Sequence, residues 1–206
     1  PNSRRQRQMC IRDRVSISGS KNAALPILAA TLLFDKNVTI KNLPRVKDID
    51  TMLNLLKSLG RKISFRNNKK IATISKGKKN NFFAPYSLVK TMRAGILVLG
   101  PLLAKNKKAK VSSPGGCSIG VRPIDIHLKA ISKLGVKIQI EKGYVNAKAK
   151  DGLVGSEIRF SKISVGATEN SILAACLAKG TTTIKNCAIE PEIKDLTNFL
   201  KTAGAK

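Results

Sequence analysis

The sequence predicts an α/β domain built from three similar units that follow one another along the chain. Each unit combines an apolar helical stretch, a short β-branched strand and a second, amphipathic helix that ends at a glycine. The closing glycines, Gly60, Gly135 and Gly204, recur at intervals of about 70 residues, a period typical of stacked supersecondary units. Units of this kind share one hydrophobic core.

The helical and strand patterns place the elements of each unit in the same order. Helix, strand and helix are predicted over 22–33, 38–40 and 48–59; over 88–104, 109–111 and 124–134; and over 168–178, 182–184 and 192–202. Asp48 and Asp50 favour a helix start, and each closing glycine can adopt the left-handed conformation that ends a helix. Alternating residues predict strands over 62–65 and 136–140, and 15–18 has the composition of a strand end.

Composition indicates a protein of the cytoplasm. With 206 residues, 42% of them hydrophobic, the chain can bury a core, and no apolar run approaches the roughly 18 residues of a membrane span. The four cysteines lack paired spacing, and the single histidine cannot complete a Cys/His zinc site. Reduced thiols are therefore expected, with Cys176 and Cys187 as packing or structural residues.

The net charge of +27 is the one unusual feature of the composition. A basic nucleic-acid-binding module is an alternative function of another class, because clustered cations release phosphate counterions. However, the lysines are spread over every predicted element, and aromatic residues make up only 4% of the chain, without tryptophan. Platforms for base stacking are therefore scarce, and a solvated basic surface explains the charge better.

Residues 1–14 form a basic segment with five arginines and little apolar pattern. We expect it to be an addition that is disordered or foreign to the fold. The domain is expected to span residues 15–206.

A glycine- and proline-rich loop over 112–126 carries the strongest chemical signal. Glycines and prolines exclude a regular element there and let backbone amides approach an anion. The loop contains Cys117 and, five residues later, Arg122. A thiol on such a loop beside a cation is typical of a reactive cysteine, whereas most free cysteines are small packing residues. The pattern alone leaves both interpretations open.

The sequence Pro-Gly-Gly-Cys-Ser-Ile-Gly-Val-Arg-Pro at 114–123 resembles the cysteine loop of the UDP-N-acetylglucosamine enolpyruvyl transferases. Further segments agree with that family in the same order: 18–26, 48–51, 84–94, 162–168 and 190–193. The resemblance implies an enolpyruvyl transferase-like inside-out α/β barrel domain, with helices inside and sheets outside. The family has a second, similar domain, with the active site between the two. Because the third unit stops at Lys206, where its next strand should begin, we expect about half of such an enzyme.

The resemblance implies transfer of the enolpyruvyl group of phosphoenolpyruvate to the 3′-hydroxyl of UDP-N-acetylglucosamine, the first committed step of peptidoglycan synthesis. Phosphate leaves after addition and elimination through a phosphorylated tetrahedral intermediate. Such a site needs an acid, a base and fixed cations around two anionic ligands. It implies no metal or organic cofactor, no membrane and no dedicated nucleic acid. The base of the family lies in the second domain.

The family's functional positions fall on named residues of this sequence. Cys117 matches the proton donor, which is also the target of fosfomycin, and the phosphoenolpyruvate contacts match Lys21, Asn22 and Arg122. The nucleotide-sugar contacts match Arg93, Arg122, Pro123, Ile124, Asp125, Ile126, Lys162, Ile163, Ser164 and Val165. His127 is expected to be structural or a weak accessory.

A sister family, the shikimate-pathway enolpyruvyl transferases, is the nearest alternative. It shares the fold and the mechanism but uses a different hydroxyl substrate. Its pattern lacks the Pro-Gly-Gly-Cys loop found at 114–117.

Overall fold

A computed structural model describes residues 17–114 and 124–206 of the chain, with helices in the centre and small sheets outside them. The helices are α1 (Lys21–Ala30), α2 (Lys47–Ser58), α3 (Tyr86–Val89), α4 (Leu99–Asn106), α5 (Asp125–Lys133), α6 (Val165–Ala175) and α7 (Pro191–Thr202). The strands are β1 (Val38–Ile40), β2 (Arg61–Arg66), β3 (Ile71–Lys76), β4 (Phe83–Ala84), β5 (Lys108–Ser112), β6 (Lys137–Glu141), β7 (Tyr144–Lys148), β8 (Glu157–Arg159) and β9 (Thr183–Lys185). Short 3₁₀ helices occupy Thr31–Leu33 and Arg93–Val98.

The sheets confirm the repeat. In the first, β1, β3 and β2 pair antiparallel in that order, and in the second, β5, β7 and β6 pair in the same way. The second sheet also pairs β4 parallel to β5, and the third pairs β8 parallel to β9. The three sheets therefore show parts of one pattern of strand pairing, with an antiparallel group and a parallel pair. The sheet of the second unit contains both parts of this pattern.

The hydrophobic core lies between the helices. The first helices of the units, α1, α4 and α6, bury residues on most of their faces, and α1 packs against α2 and α7 while α6 packs against α4 and α5. Along a strand such as β2, half-buried residues alternate with exposed ones. Burying one leucine such as Leu28, which is fully enclosed, contributes roughly 2 kcal/mol. Helices inside and sheets outside, as predicted, follow from this distribution.

The helix ends predicted from glycine are confirmed. Gly60, Gly135 and Gly204 follow α2, α5 and α7 with φ of 95°, 85° and 100°. Only glycine adopts this left-handed region without a steric cost. Asp48 and Asp50 lie in the first turn of α2 as expected, but the N-cap is Val46, which makes no side-chain cap.

The single helix predicted over 88–104 is wrong: α3 ends at Val89, and a side chain interrupts the chain again before α4. In a continuous helix the Gly100 N–H would donate to the Ile96 carbonyl oxygen, four residues earlier. Instead Gly100 donates to Oδ1 of Asn170 at 2.7 Å, and Nδ2 of Asn170 donates to the Ile96 oxygen at 3.1 Å. An amide inserted into the hydrogen-bond ladder breaks a helix, here into a 3₁₀ segment followed by α4.

Two further expectations need correction. The first helix of the third unit begins at Val165 rather than at 168, because the Ser164 hydroxyl caps it by accepting from the Ala167 N–H at 3.4 Å. Ile17, at the end of the strand predicted over 15–18, lies in no strand and is 82% exposed, while 15–16 fall outside the described residues. No helix within 17–114 or 124–206 combines the length and apolar character needed to cross a membrane.

Candidate active site

A cleft of about 830 Å³ opens where the starts of helices from all three units converge. Its walls come from the starts of α1, α2, α5, α6 and α7 and from the segment that leads into α4. Helix starts present N–H groups without helical acceptors and carry partial positive charge. Their convergence makes the cleft suited to anionic ligands.

The structure brings most of the predicted site residues to this cleft. Those that line it are Lys21, Asn22, Arg93, Ile126, Lys162, Ile163, Ser164 and Val165. Ile124 and Asp125 lie beside the cleft without lining it, at the N-cap and the first residue of α5. Cys117, Arg122 and Pro123 lie outside the described residues. The role assigned to each of these residues stays a prediction.

Lys21 and Asn22 are held at the start of α1 by their neighbours. A side chain at Gly19 would lie 2.1 Å from the Asn42 carbonyl oxygen, so only glycine allows this approach. Ser20 then caps the helix by accepting from the Ala23 N–H. Lys21 Nζ donates to Asp48 Oδ2 at 2.9 Å, which orients the ammonium group across the cleft toward the start of α2.

The 162–166 turn presents backbone donors to the cleft. With Ser164 as N-cap, the Val165 and Gly166 N–H groups belong to the first turn of α6 and have no helical acceptor. Thr168 fixes the turn from behind, because its hydroxyl donates to the Ser164 oxygen at 2.8 Å and accepts from the Ala188 N–H at 3.0 Å. Such a turn can bind a phosphate or diphosphate group.

His127 lies in the wall between Arg93 and α6. The ring is 3% exposed, and its Nδ1 is 3.3 Å from Nδ2 of Asn170. Burial, together with the positive charge of Arg93, lowers the pKa of His127 to about 4, against a smaller opposing effect of Asp125. The imidazole is therefore neutral at physiological pH.

Comparison with known proteins places the chain in a family. Residues 6–206 match the family model for EPSP synthase (3-phosphoshikimate 1-carboxyvinyltransferase). The chain belongs to that family. The protein named UDP-N-acetylglucosamine 1-carboxyvinyltransferase from Pelagibacter ubique (strain HTCC1062) is 66% identical over 94% of this chain and 46% of its own length. Its namesake from Acinetobacter guillouiae is 55% identical over 93% of this chain and 45% of its own length.

A solved structure supports the same family fold. The enolpyruvyl transferase NikO from Streptomyces tendae superposes with a TM-score of 0.79 at 20% identity, over 94% of this chain and 45% of that one. The chain thus spans about half the length of the curated relatives it matches. The predicted resemblance and the predicted enolpyruvyl transferase fold are confirmed.

Sequence reasoning missed an acidic side of this enolpyruvyl transferase cleft. Glu169, on α6, is 5% exposed and lines the cleft together with Glu192 of α7. Burial, and then the charges of Glu192 and Glu190, raise the pKa of Glu169 to about 8. Oε2 of Glu190 is buried without a hydrogen-bond partner among the described residues. A glutamate in the predicted 168–178 helix, which is otherwise uncharged up to Ala178, was the available signal.

Neither of the described cysteines contacts the cleft. Cys176 and Cys187 are free thiols, both half-buried and packed against the core. Burial raises the pKa of the Cys176 thiol to about 11, so it is protonated at neutral pH and weakly nucleophilic.

Proposed function

We propose that the complete protein containing this chain transfers the enolpyruvyl group of phosphoenolpyruvate to the 3′-hydroxyl of UDP-N-acetylglucosamine and releases phosphate. The observation that carries the proposal is the convergence of Lys21, Arg93 and the 162–166 turn on one cleft of helix starts. The names of the relatives at 66% and 55% identity support UDP-N-acetylglucosamine over shikimate 3-phosphate as the acceptor. The reaction would commit the sugar to peptidoglycan synthesis.

In this proposal the anionic groups of both substrates bind to the cleft. Lys21 and Asn22 hold phosphoenolpyruvate at the start of α1, where the ammonium of Lys21 faces the phosphate. The diphosphate of the nucleotide sugar accepts hydrogen bonds from the first amides of α6, and the Arg93 guanidinium, which also lines the cleft, adds positive charge. Holding two reactants in one geometry supplies a large part of the rate of such a reaction.

The chemistry proposed for this chain is proton donation. Cys117 gives its proton to the methylene carbon of phosphoenolpyruvate, and the cation-like carbon beside it is attacked by the sugar hydroxyl. The hydroxyl proton goes to a base outside this chain. Phosphate then leaves and one methyl proton returns to the Cys117 thiolate, which restores the thiol and regenerates the double bond in the product. Arg122 stabilises the phosphate that leaves.

The proposal makes this chain one side of an active site. The remaining half of the relatives' length supplies the base and further cations, so we expect the isolated chain to bind nucleotide sugar weakly and not to turn over. A cytoplasmic location belongs to the same proposal, because both substrates are metabolites of the cytoplasm.

Binding is tested by titration calorimetry of the chain with UDP-N-acetylglucosamine. Lys162→Ala, in the cleft, is expected to weaken binding about tenfold, as loss of a charged hydrogen bond does. Lys179→Ala is the matched control, because this exposed lysine lies outside the cleft. The absence of heat at millimolar ligand, or equal effects of the two variants, would contradict the proposed site.

Activity is tested on the complete protein by phosphate release from phosphoenolpyruvate with either acceptor. Turnover with UDP-N-acetylglucosamine and none with shikimate 3-phosphate is the expected result. The reverse preference would establish the alternative enolpyruvyl transferase. Salt-sensitive retention on a phosphate-backbone resin, without turnover on either acceptor, would favour the nucleic-acid-binding alternative.

A further inference from the structure

Asn170 is a fully buried amide whose orientation the backbone dictates. Its Oδ1 accepts from the Gly100 N–H at 2.7 Å, which can only donate. Its Nδ2 donates to the Ile96 carbonyl oxygen at 3.1 Å, which can only accept. If the amide were flipped, Nδ2 would face the Gly100 N–H and Oδ1 would face the Ile96 oxygen. Neither contact could form a hydrogen bond, so the assignment of Oδ1 and Nδ2 is fixed.

The second hydrogen of the Asn170 amide determines the tautomer of His127. Nδ2 lies 3.3 Å from His127 Nδ1, and an amide nitrogen offers only hydrogens there. Nδ1 must therefore be the unprotonated acceptor. In a neutral imidazole the remaining proton then lies on Nε2.

The edge of the ring that carries this proton faces the start of α6. A side-chain carbon at Gly166 would lie 3.1 Å from Cε1 and 3.5 Å from Nε2 of His127, so the glycine lets the ring lie against the helix start. Gly166 and His127 both line the cleft, and Nε2 has no hydrogen-bond partner within 17–114 and 124–206.

Three elements carry titratable or charged groups near the ring, and their combined effect together with burial keeps the ring neutral. Burial and Arg93, on the segment before α4, disfavour the imidazolium. Asp125, two residues earlier on the ring's own helix, opposes them weakly. Glu169 lines the same cleft from α6, but with its pKa raised to about 8 it is protonated at neutral pH and adds no anion.

We propose that Asn170 fixes His127 as a neutral Nε2–H donor, which binds a phosphate oxygen of the nucleotide diphosphate together with the first amides of α6. His127 is thereby a ligand-binding residue and Asn170 the residue that positions it. The physical reason is that the Nε2 edge of the ring lies against Gly166, in the first turn of α6, where the Val165 and Gly166 N–H groups have no helical acceptor. The inference rests on the proposed nucleotide-sugar substrate and adds to it a donor and its support.

The tautomer is tested first, without ligand, by long-range ¹H–¹⁵N correlation spectra of the chain labelled with ¹⁵N-histidine. The chain contains one histidine, so its signals need no assignment. In the complete protein the signals lost in His127→Gln identify the residue. We expect a protonated Nε2 and an unprotonated Nδ1 from pH 8 down to about pH 5. A protonated Nδ1, or titration near pH 6.5, overturns the inference.

Asn170→Asp tests the positioning role. A carboxylate still accepts from Gly100 but cannot donate to Nδ1, so the His127 ring is expected to protonate at Nδ1 and to titrate at a higher pH. Ser171→Ala is the matched control, because this neighbouring hydroxyl is also buried and, within 17–114 and 124–206, donates only to the Ala167 oxygen. An Nε2–H tautomer that persists unchanged in folded Asn170→Asp contradicts the role given to Asn170.

Binding to UDP-N-acetylglucosamine is then measured by calorimetry and by the Nε2 signal. His127→Phe is expected to raise Kd about tenfold, while His127→Gln, which keeps an N–H donor, stays within about threefold of the unaltered protein. This inference is overturned if the ligand binds without moving the Nε2 signal, or if folded His127→Phe binds it as tightly as the unaltered protein. Either result leaves the proposed function intact. No calorimetric binding by any of the proteins overturns the proposed function itself.

Discussion

Replacing Glu169 by glutamine should change how the stability of the protein depends on pH. The Glu169 carboxyl is 5% exposed, lies close to Glu190 and Glu192, and forms no ion pair with a described residue. Burial and these two charges raise its pKa to about 8. Glutamine keeps the size of the protonated carboxyl and its ability to donate, but it cannot ionise.

The sign follows from proton linkage. The carboxyl titrates near 4.5 in the unfolded chain and near 8 in the folded protein, so the folded state holds the extra proton between these values. Its contribution to stability is fully present below about pH 4.5 and is lost as the pH rises through 8. Each pKa unit is worth about 1.4 kcal/mol, so the loss between pH 5 and pH 8 is on the order of 3 kcal/mol. In Glu169→Gln this loss is absent.

Urea unfolding followed by circular dichroism at pH 5, 6, 7 and 8 measures the difference. His127, whose pKa is lowered to about 4, destabilises the fold as the pH falls through 6.5 toward 4, but it does so in both proteins and cancels. Glu141→Gln is the control, because this glutamate is exposed on β6. The reasoning would be refuted if the difference in unfolding free energy between Glu169→Gln and the unaltered protein stayed constant across the pH range.

Further predictions concern the loop, the core and the sheet surface. Cys117→Ser in the complete protein should lower phosphate release at least about 100-fold and prevent fosfomycin labelling in mass spectra; a label elsewhere with Cys117 unmodified contradicts its assignment. Leu103→Ala, at a fully buried position, should cost about 3 kcal/mol of unfolding free energy in urea, and a loss below about 1 kcal/mol contradicts the packing described. Lys148 lies opposite Lys108 and Lys137 on adjacent strands, so Lys148→Glu should raise the melting temperature by about 1–2 °C in low salt, and a decrease there contradicts the repulsion.

The parts of the fold predicted best are those specified by neighbouring residues. Gly60, Gly135 and Gly204 end helices through their own backbone freedom, so the position of each can be read without knowledge of the rest of the chain. The three-unit repeat follows from them. Strands β4 and β8 could not be found in this way, since neither of these short runs, Phe-Ala and Glu-Ile-Arg, has the β-branched composition that marked β1 and β9. In β3 the residues that face the core, Ala72 and Ile74, are accompanied by a half-exposed Ile71, which blurs the alternation.

The site residues also differ in whether neighbouring residues in the sequence indicate their role. Lys21 and Ser164 stand in short motifs at helix starts, and the structure brings both to the cleft. Asn170 stands among the polar residues of α6, between Glu169 and Ser171, and its partners Ile96 and Gly100 lie about 70 residues earlier in the chain, where no local pattern points to them. The same contact explains why the helix predicted over 88–104 is wrong. A long-range amide overrode a strong local pattern, as tertiary contacts commonly do.

The anion-binding character that we propose for the cleft comes from the repeat rather than from the high net charge of the chain. Each unit places helix starts at the same end of the domain, so their amides and dipoles add. The cleft's side-chain charges are mixed, because Lys21 is already paired with Asp48 at 2.9 Å and two glutamates, Glu169 and Glu192, line the same cleft. A bound phosphate must therefore share Lys21 with Asp48 and rely on backbone donors for much of its affinity. Half-buried donors in a cleft are screened less by salt than the exposed lysines of the sheets, so salt should weaken ligand binding less than it weakens binding of a polyanion to the surface.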